Sequence, residues 1–172
     1  MRTYRKSEKK VRSIHELNIF MDKVGEKLDR VAEEIGGLSN NVGEVAEDYF
    51  FSELENRKKI NGINFHTVTK RVRDVKNNEW DIVLTNGKTV AVFEVKQKPH
   101  INDVEKVIEK TLPQFRLSFP AYNTYKLLGG IAGMTVTKDV ADKAQKEGLF
   151  VLTQNNKNFK VLNSKDFQPK TF

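Results

Sequence analysis

The first third of the chain carries apolar residues at a regular helical spacing. They recur in alternating steps of three and four, and charged side chains fill most of the positions between them. The apolar positions are Ile14, Leu17, Met21, Val24, Leu28, Val31, Ile35 and Leu38. This heptad pattern predicts an amphipathic helix about 37 Å long at 1.5 Å per residue. Such a helix either pairs with another copy or folds back on its own domain, and the narrow stripe favours pairing in a coiled coil.

The pair Gly36-Gly37, followed by Ser39-Asn40-Asn41, predicts a break or kink in this helix. A glycine costs about 1 kcal/mol in a helix, and serine or asparagine can cap a new one. We therefore predict a helical coiled-coil arm over residues 1–40 and a folded domain over residues 41–172. A second helix is expected from about Val42 to Arg57, with a buried side made of Val45, Ala46, Tyr49, Phe50 and Leu54.

The apolar pattern then changes to runs typical of strands, interrupted by two more helical segments. The predicted strands are Asn64–Val75, Trp80–Thr85, Lys88–Lys96, Leu127–Val136 and Leu149–Thr153, and the predicted helices are Val104–Ser118 and Lys138–Glu147. The tail from Gln154 is expected to be peripheral. This order predicts an α/β domain with a mixed sheet flanked by helices.

The composition restricts the chemistry and the location of the protein. No segment approaches the roughly 20 apolar residues of a membrane span, and the first residues lack the apolar core of a secretory signal. We therefore expect a cytoplasmic protein without a membrane partner. Cysteine is absent and the three histidines are scattered, so a bound metal would be held by oxygen.

The net charge of +7 fits a polyanionic partner such as nucleic acid. Basic residues concentrate in one interval that contains a single acid, Asp74: Arg57, Lys58, Lys59, Lys70, Arg71, Arg73 and Lys76. This interval is a candidate surface for phosphate contacts. The alternative is a solvated face whose lysines only keep the protein soluble.

Two carboxylates and a lysine are predicted to converge on one hairpin. If Asn86-Gly87 forms a two-residue loop, Asp81 lies opposite Val92 and diagonal to Glu94. Because side chains alternate along a strand, Glu94 and Lys96 share the face of Asp81. Two carboxylates suit a hard cation such as Mg²⁺, which activates water for phosphodiester hydrolysis. The alternative is that Glu94 and Lys96 merely form an ion pair at the rim of the sheet.

These residues resemble the PD-(D/E)xK nuclease superfamily, which has the restriction-endonuclease-like fold. The match is Asp81, the hairpin and Glu94-Val95-Lys96, within a helix, three strands, helix and strand over roughly residues 42–154. Trp80 stands in place of the name-giving proline, which is widely replaced in the superfamily. The layout is similar to uncharacterised bacterial members that carry a coiled-coil helix before this domain.

The resemblance implies roles for individual residues. Asp81, Glu94 and the backbone carbonyl of Val95 would bind Mg²⁺ or Mn²⁺, and Lys96 would complete the catalytic set. Glu47, in Gly43-x-x-Ala46-Glu47, would support the metal or its water, with Glu44 as its competitor. Gln114 could correspond to a glutamine that some members use, although a surface glutamine is the favoured interpretation. Independently of the resemblance, the basic interval and the position of Lys98 just beyond Lys96 predict nucleic-acid contacts at Lys70, Arg71, Arg73 and Lys98, with a solvated lysine as an equal alternative for Lys98.

The leading hypothesis is a divalent-metal-dependent nuclease that acts on DNA and forms a homo-oligomer through its heptad helix. A second hypothesis is a catalytically silent nuclease-like module that binds nucleic acid or protein and is assembled by its coiled coil. A third makes the heptad helix the main functional part, as an oligomerising adaptor. Binding of Mg²⁺ or Mn²⁺ at the carboxylate pair separates the first hypothesis from the second.

Overall fold

The computed structural model describes residues 2–156 and 158–172, with side chains from Met21 onward except at positions 22, 29, 33, 38–40 and 157. The predicted heptad positions Ile14, Leu17 and Leu38 therefore lie outside the described side chains. The chain divides into two compact units, Met1–Asn41 and Val42–Phe172. Among the helices of the described chain, none combines the length and the apolar character that a membrane crossing requires.

A single helix, α1, runs over Arg2–Arg57, so the predicted break at Gly36-Gly37 is wrong. Both glycines are exposed, and a Cβ added at either would meet nothing within 4 Å. A cost of about 1 kcal/mol per glycine does not end a helix whose backbone hydrogen bonds can continue. No neighbouring atom of the described residues therefore requires the small size of glycine at these two positions.

The last turns of α1 form part of the second unit. Ala46, Phe50 and Leu54 are fully buried there, and Tyr49 packs beside them. Val45 is 62% exposed, so its predicted place on the buried side is wrong. The helical face that contacts the core is centred on positions 46, 50 and 54. Val45 lies outside this face, so its side chain is exposed.

The second unit contains a six-stranded sheet and a short two-stranded ribbon. The ribbon pairs β1 and β2, and the sheet has the order β3-β4-β5-β6-β7-β8. The strands are β1 (Lys59–Ile60), β2 (Ile63–Asn64), β3 (Thr67–Arg73), β4 (Glu79–Thr85), β5 (Thr89–Lys96), β6 (Lys126–Gly133), β7 (Phe150–Asn155) and β8 (Asn158–Val161). Strands β5, β6 and β7 run parallel, and the other neighbours are antiparallel. The predicted mixed α/β sheet is confirmed.

Apolar layers cover both faces of this sheet. On one face, the buried end of α1 packs against residues such as Phe93 and Leu128. On the other, Val90, Val92 and Ile131 contact the helices that follow β5 and β6. Strand β5 is buried from Thr89 to Val95, as expected for the central strand of an α/β sheet.

The helical region after β5 is not a uniform helix. It consists of α2 (Ile101–Lys106), a π-helical segment (Val107–Thr111) and α3 (Leu112–Ser118). Pro113 explains the π segment, because proline lacks an N–H and its ring clashes with the carbonyl four residues earlier, that of Glu109. The last helix, α4 (Lys138–Lys146), follows β6.

The tail forms part of the sheet, so the prediction that it is peripheral is wrong. Strand β8 pairs with β7 and buries Phe159. Asn163 is also buried, and its side chain accepts a hydrogen bond from the Val151 N–H and donates one to the Leu149 carbonyl. A single amide side chain therefore satisfies two backbone groups at the start of β7. The short apolar run of β8 gave no indication of this contact in the sequence.

Candidate functional site

The hairpin that carries the candidate carboxylates has a longer turn than expected. Thr85 pairs with Val90, so four residues, 86–89, separate the paired positions. The Asn86 side chain accepts hydrogen bonds from the N–H groups of Lys88 and Thr89, at 3.2 and 2.9 Å. Gly87 takes a φ of +82°, which glycine adopts without strain. The predicted two-residue loop is wrong because the asparagine side chain organises a wider turn.

The longer turn moves the register of the hairpin by two residues. Val83 pairs with Val92, and Ile82 pairs with Phe93 as the last pair of the β4–β5 ladder, so Asp81 lies just beyond the paired positions. The predicted diagonal arrangement, with Asp81 opposite Val92, is therefore wrong. A shift of two preserves which face each side chain occupies. The Asp81 carboxyl is close enough to Glu94 for the charge of Glu94 to raise the pKa of Asp81.

Strand β4 changes its alternation at Asp81. Ile82 packs in the core beneath α1, but Trp80, two residues away, packs in the opposite core. The ladder between β3 and β4 lacks the pair of Arg71 with Asp81, although the pairs on both sides keep one register, and Arg71 has a positive φ of 52°. A regular strand would keep Trp80 and Ile82 on one face. The strand pair is therefore kinked where Asp81 lies.

The Asp81 carboxylate accepts a hydrogen bond from the Val95 N–H, at 2.7 Å. Burial and the negative charge of Glu94 raise the pKa of Asp81 to about 6, against the opposing effects of this hydrogen bond and of Lys96. In an antiparallel ladder, the N–H and C=O of one residue point to the same neighbouring strand. The Val95 carbonyl, a predicted ligand, therefore points towards β4 as its amide does.

Glu94 is buried and bound by two lysines. Its Oε1 atom lies 2.8 Å from Lys96 Nζ and 2.8 Å from Lys106 Nζ. Burial alone would raise the pKa of Glu94, but the two ammonium groups outweigh it and hold the pKa below its usual value. Burial similarly opposes the charge of Lys96, yet Glu94 and Asp81 raise its pKa. At neutral pH, Glu94 is ionised and Lys96 is protonated.

Lys106 is a residue that the sequence did not single out. It lies on α2 and donates a hydrogen bond to Glu94 across the helix–sheet layer. The only sequence signal is its spacing of four residues from Lys110, which a solvated helix face shows equally well. The contact with Glu94 depends on how α2 docks on β5, and a single sequence does not reveal this packing.

Glu47 lies near enough to Asp81 for its charge to raise the pKa of Asp81. Its own carboxylate accepts a hydrogen bond from Arg71 Nε at 3.0 Å, while Arg71 Nη2 donates to Glu44 at 2.8 Å. Both candidate glutamates are therefore held by one guanidinium. Glu47 is the more buried of the two, with its side chain 17% exposed against 52% for Glu44.

Three of the four predicted nucleic-acid contacts form ion pairs within the protein. Lys70 binds Asp48, Arg71 binds the two glutamates of α1, and Arg73 binds Glu79. Lys98 is exposed beyond the end of β5. The acids of α1 thus neutralise part of the basic interval. These ion pairs join residues more than 20 positions apart, so the sequence alone did not indicate them.

A cavity of about 180 Å³ opens beside Glu94. Polar groups from two strands and from the whole helical region after β5 surround it, and the residue that the resemblance singled out, Gln114, is among them. The lining residues are Asn78, Glu79, Trp80, Glu94, Lys106, Lys110, Thr111 and Gln114. Trp80 is fixed there by a hydrogen bond from its Nε1 to the Thr111 carbonyl, at 3.1 Å. Besides Lys106, which already binds Glu94, the cavity brings Lys110, the carboxylate of Glu79 and the amide side chains of Asn78 and Gln114 into the surroundings of Glu94.

The donor atoms fit a hard cation bound by a small number of protein oxygens. Asp81 Oδ1 and Glu94 Oε2 accept none of the hydrogen bonds found among the described residues, which leaves one oxygen of each carboxyl for a ligand. The described part of the chain contains no group of three or more acidic, histidine or cysteine side chains arranged for a metal. A cation here would depend on two carboxylates, the Val95 carbonyl and water, as Mg²⁺ sites commonly do.

Comparison with models of protein families, with characterised proteins and with solved structures gives no match to this chain. The chemical interpretation therefore depends on the geometry of the site itself.

Proposed function

We propose that this protein is a divalent-metal-dependent nuclease that hydrolyses phosphodiester bonds, with DNA as its substrate and a restriction-endonuclease-like core. The observation that supports the proposal most is that Asp81, Glu94 and Lys96 meet at the kinked end of a hairpin whose second strand is buried. The Val95 N–H donates to Asp81 at 2.7 Å, and Lys96 Nζ lies 2.8 Å from Glu94. Burial, together with the charge of Glu94, raises the pKa of Asp81 to about 6, so keeping Asp81 ionised at neutral pH is costly for the folded protein. Groups kept in a costly arrangement are characteristic of functional sites.

Each residue of the site has a defined task in this proposal. Asp81, Glu94 and the Val95 carbonyl would hold Mg²⁺ or Mn²⁺, and a cation bound there would acidify a water and polarise the phosphate. Lys96 remains protonated beside the carboxylates and stabilises negative charge that develops on the phosphoryl oxygens. Glu47 orients water from the side of α1. The cavity beside Glu94 receives the adjacent part of the substrate, with Lys106 and Lys110 facing its phosphates.

We further propose self-association through the apolar stripe of α1. Met21, Leu28 and Ile35 are each more than 60% exposed in the described part of this helix. Their heptad spacing suits a coiled-coil contact with other copies of the chain.

The competing function is a catalytically silent module that binds nucleic acid or protein. The two lysines bound to Glu94 favour it, because they already balance the charge of that carboxylate.

The deciding experiment combines cleavage with metal binding. Linear, circular, single-stranded and branched DNA are incubated with wild type, Asp81→Asn and Lys96→Met in Mg²⁺ or Mn²⁺. Asp166→Asn and Lys160→Met are matched controls, since Lys160 is exposed on the edge strand β8 and Asp166 is exposed in the tail that follows it. Cleavage that is lost only in the site variants supports the nuclease. If wild type neither cuts nor binds Mn²⁺ by calorimetry, the nuclease is refuted and the silent module is favoured.

A further inference from the structure

Helix α1 presents a continuous apolar stripe in the described part of the first unit. Five residues at heptad spacing are 39–64% exposed: Met21, Val24, Leu28, Val31 and Ile35. Single exposed apolar residues are ordinary, whereas an unbroken row on one helical face marks an interaction surface. In heptad notation, Met21, Leu28 and Ile35 occupy a positions, and Val24 and Val31 occupy d positions.

The residues beside this stripe differ on its two sides. One side, at the e positions, carries Gly25 and Ala32, and a Cβ added at Gly25 would meet nothing within 4 Å. The other side, at the g positions, carries Lys27 and Glu34. Residues at e and g lie at the edges of a coiled-coil interface and determine the orientation of the partner.

A parallel partner would leave both charges without a complement. In a parallel pair, a g residue meets the e residue five positions later in the second helix, so Lys27 would meet Ala32 and Glu34 would meet Ser39. In an antiparallel pair, g meets g and e meets e. Lys27 then meets Glu34 of the second copy, and the reciprocal pair forms by symmetry.

The antiparallel arrangement also brings the small residues together. With Leu28 packed against Val31 of the second copy, Gly25 lies beside Ala32 of that copy, again twice. Small side chains allow two helices to approach closely on that edge. The a and d residues then alternate across the interface, and Val24 packs against Ile35 of the second copy.

We propose that two copies of this chain pair through α1 in antiparallel orientation, with the two-fold axis between positions 29 and 30. The inference depends on the self-association proposed above and adds its direction and register. It is independent of nuclease chemistry, because none of the interface residues lies in the candidate site. Loss of cleavage and loss of pairing are therefore separate results.

The absence of cysteine makes cross-linking a direct test. Val24→Cys and Ile35→Cys are prepared in the full chain, one with an affinity tag so that mixed and identical dimers differ in mass. Mild oxidation of the mixture is expected to give the mixed dimer, and neither variant alone should cross-link efficiently. Disulfide-linked identical dimers from each variant would show parallel pairing and overturn the proposal.

Charge exchange provides a second measurement on the same interface. Lys27→Glu turns two attractive pairs into two repulsive ones and should weaken dimerisation about tenfold by sedimentation equilibrium. Adding Glu34→Lys restores both pairs and should return the dissociation constant to within about threefold of wild type. Glu26→Lys, exposed at an f position, is the control for charge alone.

Three results would overturn the inference. The first is a wild-type chain that sediments as a monomer throughout the concentration range. The second is a dimer in which the mixed cysteine variants do not cross-link. The third is a double charge exchange that weakens pairing as much as Lys27→Glu alone, because only the antiparallel register makes these two residues partners.

Discussion

Replacing Asp81 with asparagine should stabilise the metal-free protein at neutral pH. The pKa of Asp81 is raised from 3.8 to about 6 by burial and by the charge of Glu94. One pKa unit corresponds to about 1.4 kcal/mol, so keeping this group ionised costs the folded state up to about 3 kcal/mol. The substituted side chain would carry no charge, and its amide oxygen could still accept the hydrogen bond from the Val95 N–H.

The sign of the pH dependence follows from proton binding. Below about pH 4, Asp81 is protonated in the folded and unfolded chains and costs nothing. Between about pH 4 and 6, the unfolded chain ionises first, so the free energy of unfolding falls as the pH rises. Above about pH 6 the loss is complete. The advantage of Asp81→Asn should therefore be absent below pH 4 and reach about 1–3 kcal/mol at pH 7.5 after allowance for partial exposure.

Chemical denaturation in EDTA at several pH values would measure this difference, and the melting temperature should rise by about 2–4 °C per kcal/mol. Glu94→Gln is the matched comparison with the opposite expectation. It removes the acceptor of two lysines, so it should destabilise the protein at pH 7.5 by about 1–3 kcal/mol. An Asp81→Asn variant less stable than wild type at pH 7.5, or an advantage that does not change with pH, would refute the reasoning.

Three other substitutions test the surroundings of the site. Gly130→Ala should destabilise the protein by about 2–3 kcal/mol in urea titrations, because the new Cβ would overlap the Phe93 ring; equal stability would show that the ring moves freely. Asn163→Ala should lower the free energy of unfolding by about 2–4 kcal/mol, since it leaves a buried N–H and C=O unpaired. Lys106→Met should tighten Mn²⁺ binding several-fold by calorimetry, because it removes a positive charge from Glu94; weaker binding would place the cation elsewhere.

The proximity of Asp81 to Glu94 and Lys96 was accessible from the sequence for a specific physical reason. Side chains alternate with a period of two, so the predicted register could be wrong by two residues without moving either carboxylate to the other face. The error came from Asn86, whose side chain organises a four-residue turn where Asn86-Gly87 suggested a two-residue one. The turn residues therefore predicted the hairpin register less well than strand alternation predicted the face that each side chain occupies.

Other parts of the site depend on contacts between segments distant in sequence. The kink at Asp81 coincides with the positive φ of Arg71, whose guanidinium is held by Glu44 and Glu47 from α1. Neither strand has a glycine or proline there that would indicate a kink. The contact of Lys106 with Glu94 likewise follows from the docking of a helix on the sheet. Intrinsic patterns within one segment carry no information about such partners.

The charges around Glu94 separate the nuclease from the silent module. Asp81 and Glu94 carry two negative charges at neutral pH, and Lys96 and Lys106 carry two positive charges, so the four groups balance without a cation. In a silent module no cation binds, the four side-chain charges stay balanced, and Lys106 serves to neutralise a buried acid. In a nuclease, a divalent cation would compete with Lys106 for Glu94. The displaced ammonium would then lie in the cavity with Lys110, where the phosphates of the substrate need a positive charge. Under the nuclease hypothesis, Lys106→Met should therefore bind the metal more tightly and DNA more weakly, whereas a silent module predicts no gain in metal affinity.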